Sequence, residues 1–209
     1  YLTYGDMILP GLMLIVLAQL TLIGSSGSTA QETSAGSWRE LFSMNATPIS
    51  IIIGKLAAFA LIFSVFGVLM KLILFTIFDI RFVGNEGDFF LVTIVGVIAC
   101  TSLGLFFGSF FRHRITVFAT IGFSSYPFFL SSGYAWPVQQ LPDFVQWISY
   151  LFPSTPFMRS LYVMTQLGNG IEAVVPYLWL FLAQIVFYSL MFSIRMRYIK
   201  KRTLVAECA

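Results

Sequence analysis

The sequence predicts an all-α, polytopic membrane protein, and three observations support that class. Of its 209 residues, 58% are hydrophobic and 10% are charged, against about 25% charged in a typical soluble domain. The apolar residues gather into five runs, most of them long enough to cross a bilayer as helices. The basic residues collect in alternate connections between those runs. We therefore expect a helical bundle with five transmembrane helices, one short amphipathic helix on one side of the membrane and two short helices on the other.

The five predicted spans occupy about residues 7–24, 49–78, 89–111, 115–130 and 174–194. With a rise of about 1.5 Å per residue, the second span is long enough to cross the bilayer with a tilt. The fourth span is short for a hydrocarbon core of roughly 30 Å. Tyr1 stands where a methionine is expected, and no charged region with a cleavage site follows it. We therefore expect the chain to be a portion of a longer protein.

The orientation of the spans follows from the positions of the basic residues. Nine of the twelve lie on one side if the spans alternate in direction: Arg39, Lys55, Arg112, Arg114, Arg195, Arg197, Lys200, Lys201 and Arg202. Because cytoplasmic connections carry an excess of Lys and Arg, we expect this side and the C-terminus to be cytoplasmic and Tyr1 to be outside. An outside N-terminus suggests that a further span precedes it. Lys71, inside the second span, is expected to extend toward the outer surface.

The connection at residues 32–50 predicts a short amphipathic helix with a defined start and end. Gly36 can adopt the left-handed conformation that ends a helix, and Ser37 with Glu40 forms a capping-box pattern. Thr47-Pro48 ends the helix, since the residue before a proline is disfavoured in the α region. Between them, the apolar residues on one helical face are Trp38, Leu41 and Phe42. Such a helix lies on the membrane surface or docks in a groove of a partner.

The region of about residues 131–170 predicts two short outer helices, re-entrant or interfacial. Gly133 interrupts the preceding helix, and Trp136 and Trp147 are anchors typical of a lipid–water boundary. Pro142 can sit in the first turn of a short helix that ends by Pro153. A second short helix follows, starting at Pro156 and running to about Leu167. The pair either covers the end of a pathway or forms a surface hairpin without a gating role.

Two segments of the chain resemble those of a known family. The Gly-Ser-Trp-Arg-Glu sequence at 36–40, followed by Pro-Ile-Ser at 48–50 and Gly-Lys at 54–55, resembles the cytoplasmic coupling loop of ABC-2 type exporter permeases. The outer segment resembles theirs in Ser132-Gly133, Trp136-Pro137, Leu141-Pro142, residues 147–150 and Pro153-Ser154-Thr155. The likeness is greatest to the group with a large extracytoplasmic domain after the first span. It implies that this chain is the C-terminal five-span portion, with the first span and that domain upstream.

The resemblance implies a permease subunit of an ATP-driven exporter in the plasma or inner membrane, moving a lipid, drug or polysaccharide-like substrate outward. Two permease subunits, identical or paralogous, face each other among membrane lipids, and each binds an ABC ATPase subunit that holds ATP and magnesium. The ATPase-contacting residues it implies are Glu32, Gly36, Ser37, Trp38, Arg39, Glu40 and Leu41. The outer gate it implies comprises Gly133, Trp136, Pro137, Pro142 and Pro153. The chain departs from the common family form because Gln31-Glu32-Thr33-Ser34-Ala35 precedes Gly36-Ser37.

Several function classes are disfavoured by what the sequence lacks. It contains no phosphate-binding G-x-x-x-x-G-K-[ST] motif, and none of its nine acidic residues falls in the middle of a span, where ion-coupled carriers keep their relays. No pairing of residues suggests a catalytic site, a metal site or a cofactor in this chain, and nothing points to nucleic acid. Transport then requires an external energy source. The alternative is a non-transporting membrane scaffold that binds a cytosolic partner through the helix at 37–45.

Polar and glycine residues within the spans leave two questions open. Gly104 and Gly108 form a small-xxx-small pattern that is either a close helix-packing face or a chance occurrence. Four mid-span polar residues either line a cavity or join helices: Gln19, Thr21, Gln184 and Tyr188. We favour the second interpretation for these four.

Overall fold

The computed structural model describes residues 4–38, 40, 47–78, 85–131, 142–165 and 170–207. These residues form seven α-helices and no strand, which confirms the all-α prediction. The helices are α1 Tyr4–Ala35, α2 Pro48–Ile77, α3 Glu86–Gly108, α4 Arg114–Ser131, α5 Asp143–Leu151, α6 Ser154–Thr165 and α7 Val175–Glu207. A single 3₁₀ turn, Ile171–Ala173, precedes α7.

Within the described ranges, four helical segments are long and apolar enough to cross a membrane, where the sequence predicted five. They are Leu9–Ala35, Pro48–Ile77, Glu86–Gly108 and Val175–Lys200. The fourth predicted span forms a helix at the expected place, as α4, but α4 has only 18 residues. At a rise of 1.5 Å per residue it extends over about 27 Å, less than a hydrocarbon core of roughly 30 Å.

Helix α1 continues well beyond its predicted end at residue 24 and stops at Ala35. The Gly-Ser-rich stretch after residue 24 is helical, and its hydroxyl groups donate to carbonyls of the same helix. Ser25 Oγ donates to the Thr21 carbonyl at 2.7 Å, and Thr29 Oγ1 donates to the Ser25 carbonyl at 3.0 Å. These bonds remove the competition with the backbone that makes serine unfavourable in a helix interior. Glu32 therefore lies on a helix rather than in a loop.

The small residues of α1 and α3 bring these two helices close together at the centre of the bundle. A Cβ atom added to Gly108 would lie 2.7 Å from Ser26 Cα and would also overlap the Ser26 carbonyl oxygen. A Cβ atom at Gly104 would collide with Ser25 Oγ and lie 3.1 Å from the Leu22 carbonyl oxygen. The pattern at Gly104 and Gly108 is therefore a close packing face, the first of the two alternatives.

The long helices run so that each end of the bundle has its own set of contacts. Residues that begin α2 and end α1 and α3 lie together, and we call this the Trp38 end. At the opposite, Glu86 end, Lys71 of α2 pairs with Glu86 at the start of α3. The Lys71 ammonium also lies 4.9 Å from the ring centre of Phe89 and 5.3 Å from that of Phe90. Lys71 thus reaches toward the end of the bundle that the sequence predicts to be outside.

Helices α5 and α6 form a hairpin that enters the bundle from the Glu86 end. The ring of Phe157 on α6 packs against Gly96, which is ten residues into α3 and therefore about 15 Å from its start. On the other side, the Gln184 side-chain amide donates to the Tyr150 carbonyl at 2.8 Å, and the Tyr188 hydroxyl donates to the Leu151 carbonyl at 2.7 Å. The hairpin reaches into the bundle, and Gln184 and Tyr188 join α7 to it as expected.

Candidate coupling site

The turn after α1 begins at Gly36, as the sequence predicted. Gly36 has a φ of +71°, the only positive-φ glycine among the described residues. A residue with a Cβ atom is strained in this conformation, whereas glycine adopts it freely. Ser37, half-buried, and Trp38 follow directly, so the chain reverses at the Trp38 end and returns against the bundle.

Trp38 is buried inside this chain, with 3% of its surface exposed. Its indole Nε1 donates a hydrogen bond to Thr33 Oγ1 at 3.1 Å. Around the ring is an apolar cluster contributed by α2, α3 and α7: Ile51, Ile52, Leu105, Phe192 and Met196. One side chain after the turn therefore belongs to a packed cluster that three further helices share.

Lys55 of α2 connects this tryptophan to α1. Its ammonium lies 2.6 Å from Glu32 Oε2 and 3.5 Å from Thr29 Oγ1. It also lies 5.4 Å from the ring centre of Trp38, within the range of a cation–π contact. We refer to Glu32, Thr33, Trp38 and Lys55 as the Trp38 cluster. Both ionic side chains are mostly shielded from solvent, so their attraction is screened less than that of a surface pair.

The remaining predicted coupling residues divide into two groups. Glu40 is described and exposed at the Trp38 end. Arg39 and Leu41 lie outside the described residues, as does most of the helix expected at 37–45. The capping box of Ser37 and Glu40 and the contact of these residues with an ATPase stay predictions.

Of the predicted outer gate, the described residues are Pro142 and Pro153. Pro142 immediately precedes α5, and its carbonyl accepts the Val145 N–H at 2.8 Å. Pro153 is buried between α5 and α6, where its carbonyl accepts the Phe157 N–H at 3.1 Å. Pro142 therefore marks the start of α5 and Pro153 follows its end, as predicted, whereas α6 begins at Ser154, two residues before the predicted start at Pro156. Gly133, Trp136 and Pro137 lie outside the described residues.

A cavity of about 360 Å³ opens between α1 and α4. Its walls are mostly apolar, and the residues lining it are Leu12, Ile15, Val16, Gln19, Leu20, Ser125 and Tyr126. The Gln19 amide has neither a donor nor an acceptor partner within the described structure, although it is buried. The expectation that Gln19 joins two helices is therefore wrong. Gln19 is among the residues that line the cavity instead.

Sequence reasoning missed Lys55 and Thr33 as partners of the coupling segment. A signal was present, since Glu32 and Lys55 carry opposite charges near facing ends of two consecutive helices. Assigning Glu32 to a loop concealed it, because a loop residue has no fixed neighbour on α2. Within the described ranges, no group of three His, Cys, Asp or Glu residues is placed to hold a metal ion.

Comparison with known proteins agrees with this architecture. Residues 2–194 match the family described as ABC-2 family transporter protein. The chain is 25% identical over 169 residues to the inner membrane transport permease YhhJ of Escherichia coli (strain K12), covering 79% of the chain and 45% of that protein. It is 25% identical over 150 residues to ABC transporter G family member 20 of Dictyostelium discoideum, covering 72% of the chain and 20% of that protein. The chain thus spans less than half the length of these relatives. Since the family match covers nearly all of it, the chain belongs to the ABC-2 family of transporter proteins, and it is a membrane protein.

Proposed function

We propose that the chain is the membrane-spanning part of a permease subunit in an ATP-driven ABC-2 exporter, energised by a partner ATPase on the cytoplasmic face. The observation that carries this proposal is the Trp38 cluster. Through it, Trp38 in the segment after α1 is joined to α1 by a hydrogen bond and to Lys55 of α2 by a cation–π contact, and it packs in a cluster with α2, α3 and α7. The Lys55–Glu32 ion pair in turn joins α2 to α1. A push on that segment would be passed to four helices rather than absorbed by a loop.

The cavity between α1 and α4 supports a transport role for the bundle. An unpartnered amide in an apolar wall is costly unless a ligand or water completes its hydrogen bonds. Gln19 stands in such a wall, next to Ser125 and Tyr126. We infer that a mostly apolar substrate passes along this cavity, because its lining is mostly apolar, which fits a lipid or drug better than a bare polysaccharide. The permease itself would carry out no chemistry, and a second permease subunit would complete the pathway.

The experiment separates ATPase docking from transmission. The full-length protein is purified in detergent, the co-purified ATPase is identified by mass spectrometry, and ATP hydrolysis is measured in nanodiscs with candidate lipids and drugs. Glu40→Arg reverses an exposed charge at the Trp38 end, so we expect less ATPase to co-purify. Lys55→Met removes the ion pair inside the Trp38 cluster, so we expect normal ATPase recovery but loss of substrate-stimulated hydrolysis.

The matched control is Asp143→Arg, a charge reversal on an exposed residue at the Glu86 end. It should change neither ATPase recovery nor stimulated hydrolysis. The proposal fails if Lys55→Met responds to substrate as the wild type does. A bound ATPase that ignores every candidate substrate would favour the alternative, a scaffold that holds a cytosolic partner.

A further inference from the structure

Arg159 on α6 has one edge of its guanidinium group without a partner. Its Nη1 donates to the Tyr150 hydroxyl, and the guanidinium lies 4.5 Å from the centre of the Tyr150 ring. The Nε and Nη2 atoms are both buried and have no hydrogen-bond partner among the described residues. Together these two nitrogens present the pair of parallel N–H groups that binds carboxylates and phosphates in bidentate fashion.

Two further buried donors without partners lie on the same helix as this arginine. They are the hydroxyl groups of Ser154 and Thr155, at the N-terminal end of α6. Thr155 precedes Arg159 by four residues, so both side chains lie on one face of the helix. The N-terminus of a helix also favours negative charge. Such a concentration of unsatisfied donors in a native fold calls for a missing acceptor.

No carboxylate of the described structure fills that role. The two ion pairs found there, Lys55 with Glu32 and Lys71 with Glu86, lie elsewhere. A cation that is partly removed from water and lacks a counter-charge is strongly unfavourable, and ionisable residues inside membrane regions mark functional sites by default. The charge on Arg159 therefore attracts an anion from outside the chain.

The position of Arg159 indicates which anion is available. It lies in the α5–α6 hairpin, at a height between two residues of α7. On one side is Tyr177, in the first turn of α7, close enough to interact with it electrostatically, and on the other is Gln184, which bonds the Tyr150 carbonyl. Tyr177 lies in the first turn of α7, so this side of Arg159 faces the Glu86 end, whereas Phe157, two residues earlier, packs about 15 Å from the start of α3. A long arginine side chain in such a position can extend its guanidinium group toward the phospholipid phosphates at the membrane boundary.

We propose that Arg159, with Thr155, binds a phosphate group on the side of the hairpin that faces the Glu86 end, either the head-group phosphate of a phospholipid or free phosphate. The fork formed by Nε and Nη2 of Arg159 takes two phosphate oxygens, and the Thr155 hydroxyl donates to a third. Because the fork is enclosed in this conformation, the phosphate enters as the α5–α6 hairpin shifts away from α7. Binding would thus hold the hairpin partly open.

The test uses three probes on the full-length protein in neutral detergent, with retained ligand counted by native mass spectrometry and thermal stability measured alongside. Phosphatidylglycerol carries the phosphate and acyl chains, diacylglycerol carries only the chains, and inorganic phosphate carries only the anion. We expect wild-type protein to retain phosphatidylglycerol but not diacylglycerol. Competition by inorganic phosphate would identify free phosphate as a sufficient ligand, and its failure to compete would identify the lipid head group.

The variants are Arg159→Gln, Arg159→Lys and, as control, Arg197→Gln, which removes one exposed charge at the Trp38 end. Arg159→Gln should weaken phosphatidylglycerol binding at least about tenfold, since two charge-assisted hydrogen bonds are lost. Arg159→Lys keeps the positive charge but lacks the pair of parallel N–H groups, so its affinity for phosphatidylglycerol should be intermediate. The control should bind as the wild type does.

The proposal is overturned if Arg159→Gln binds phosphatidylglycerol like the wild type, or if diacylglycerol binds equally well. It is also overturned if the wild type retains neither phosphate-bearing probe, in which case water fills the fork. Should Arg159→Gln fail to fold, Arg159→Lys decides the matter, because unchanged affinity in that variant means that the fork makes no contact.

Discussion

Adding a single methyl group at Gly108 should lower the stability of the protein more than adding one at any other glycine. A Cβ atom there would lie 2.7 Å from Cα and 2.9 Å from the carbonyl carbon of Ser26. All the obstructing atoms belong to the backbone of α1, so no side-chain rotation relieves the overlap. Forcing extra atoms into a packed interior costs about 1–3 kcal/mol. With roughly 2–4 °C of melting temperature per kcal/mol for a chain of this size, Gly108→Ala should melt roughly 2–12 °C lower.

The assay is thermal unfolding of the purified protein in detergent, followed by loss of the monodisperse peak in gel filtration. The control is Gly54→Ala on α2, where a Cβ atom would meet nothing within 4 Å. That variant should melt at or slightly above the wild-type temperature, because alanine is favoured over glycine inside a helix by about 1 kcal/mol. If Gly108→Ala and Gly54→Ala have the same melting temperature, helices α1 and α3 are not in close contact.

A rescue experiment adds a second check on the same interface. At Gly104, the nearest obstruction is the Ser25 hydroxyl, a side-chain atom, with the Leu22 carbonyl oxygen next at 3.1 Å. Ser25→Ala should therefore recover much of the stability lost in Gly104→Ala. Ser26→Ala should recover none of the loss in Gly108→Ala, since its side chain is not in the way.

Other predictions concern the turn after α1 and the α5–α6 hairpin. Gly36→Ala should lower the melting temperature by an amount equivalent to roughly 1–2 kcal/mol, the cost of a left-handed conformation for a residue with a Cβ atom. Gly36→Asn should be milder in the same melting assay, and equal effects would contradict a left-handed role. Tyr188→Phe removes the 2.7 Å bond to the Leu151 carbonyl and should cost about 1 kcal/mol. Tyr126→Phe, at an exposed site on α4, should cost nothing measurable, so equal melting of the two variants would argue against the hairpin contact.

Patterns within single helices predicted much of this fold. The starts of α2, α4 and α7 fall within one residue of the apolar boundaries, because a proline or a charged cluster marks each of them. Gly36 was identified as a helix end from its residue type alone. The end of α1 was misplaced by eleven residues, since whether serine and glycine form a loop or a helix depends on what packs against them. Here the glycines of α3 accommodate that stretch, and its own carbonyls accept the hydroxyl hydrogens.

The Trp38 cluster illustrates the limit of prediction for the candidate site. The residues 36–40 stood out by their resemblance to a family pattern, and an exposed, partner-facing tryptophan was the natural expectation. In the structure, the indole is buried against three helices of its own chain and bonded to Thr33. Burial of a side chain from a short connecting segment depends on distant residues, such as Phe192 and Met196, that no local period relates to it.

Residue composition and the placement of charges determined that this chain is a helical membrane protein, because apolar runs of that length have no stable alternative outside a bilayer. The same local information located most helix starts and the turn at Gly36. Only the tertiary structure decided which polar groups have partners. Lys55 forms an ion pair with Glu32, and the Tyr188 hydroxyl donates to a hairpin carbonyl. The Nε and Nη2 atoms of Arg159 have no hydrogen-bond partner among the described residues. A hydrogen bond or ion pair between helices forms only when packing brings two surfaces together. A sequence pattern describes the surface of one helix at a time.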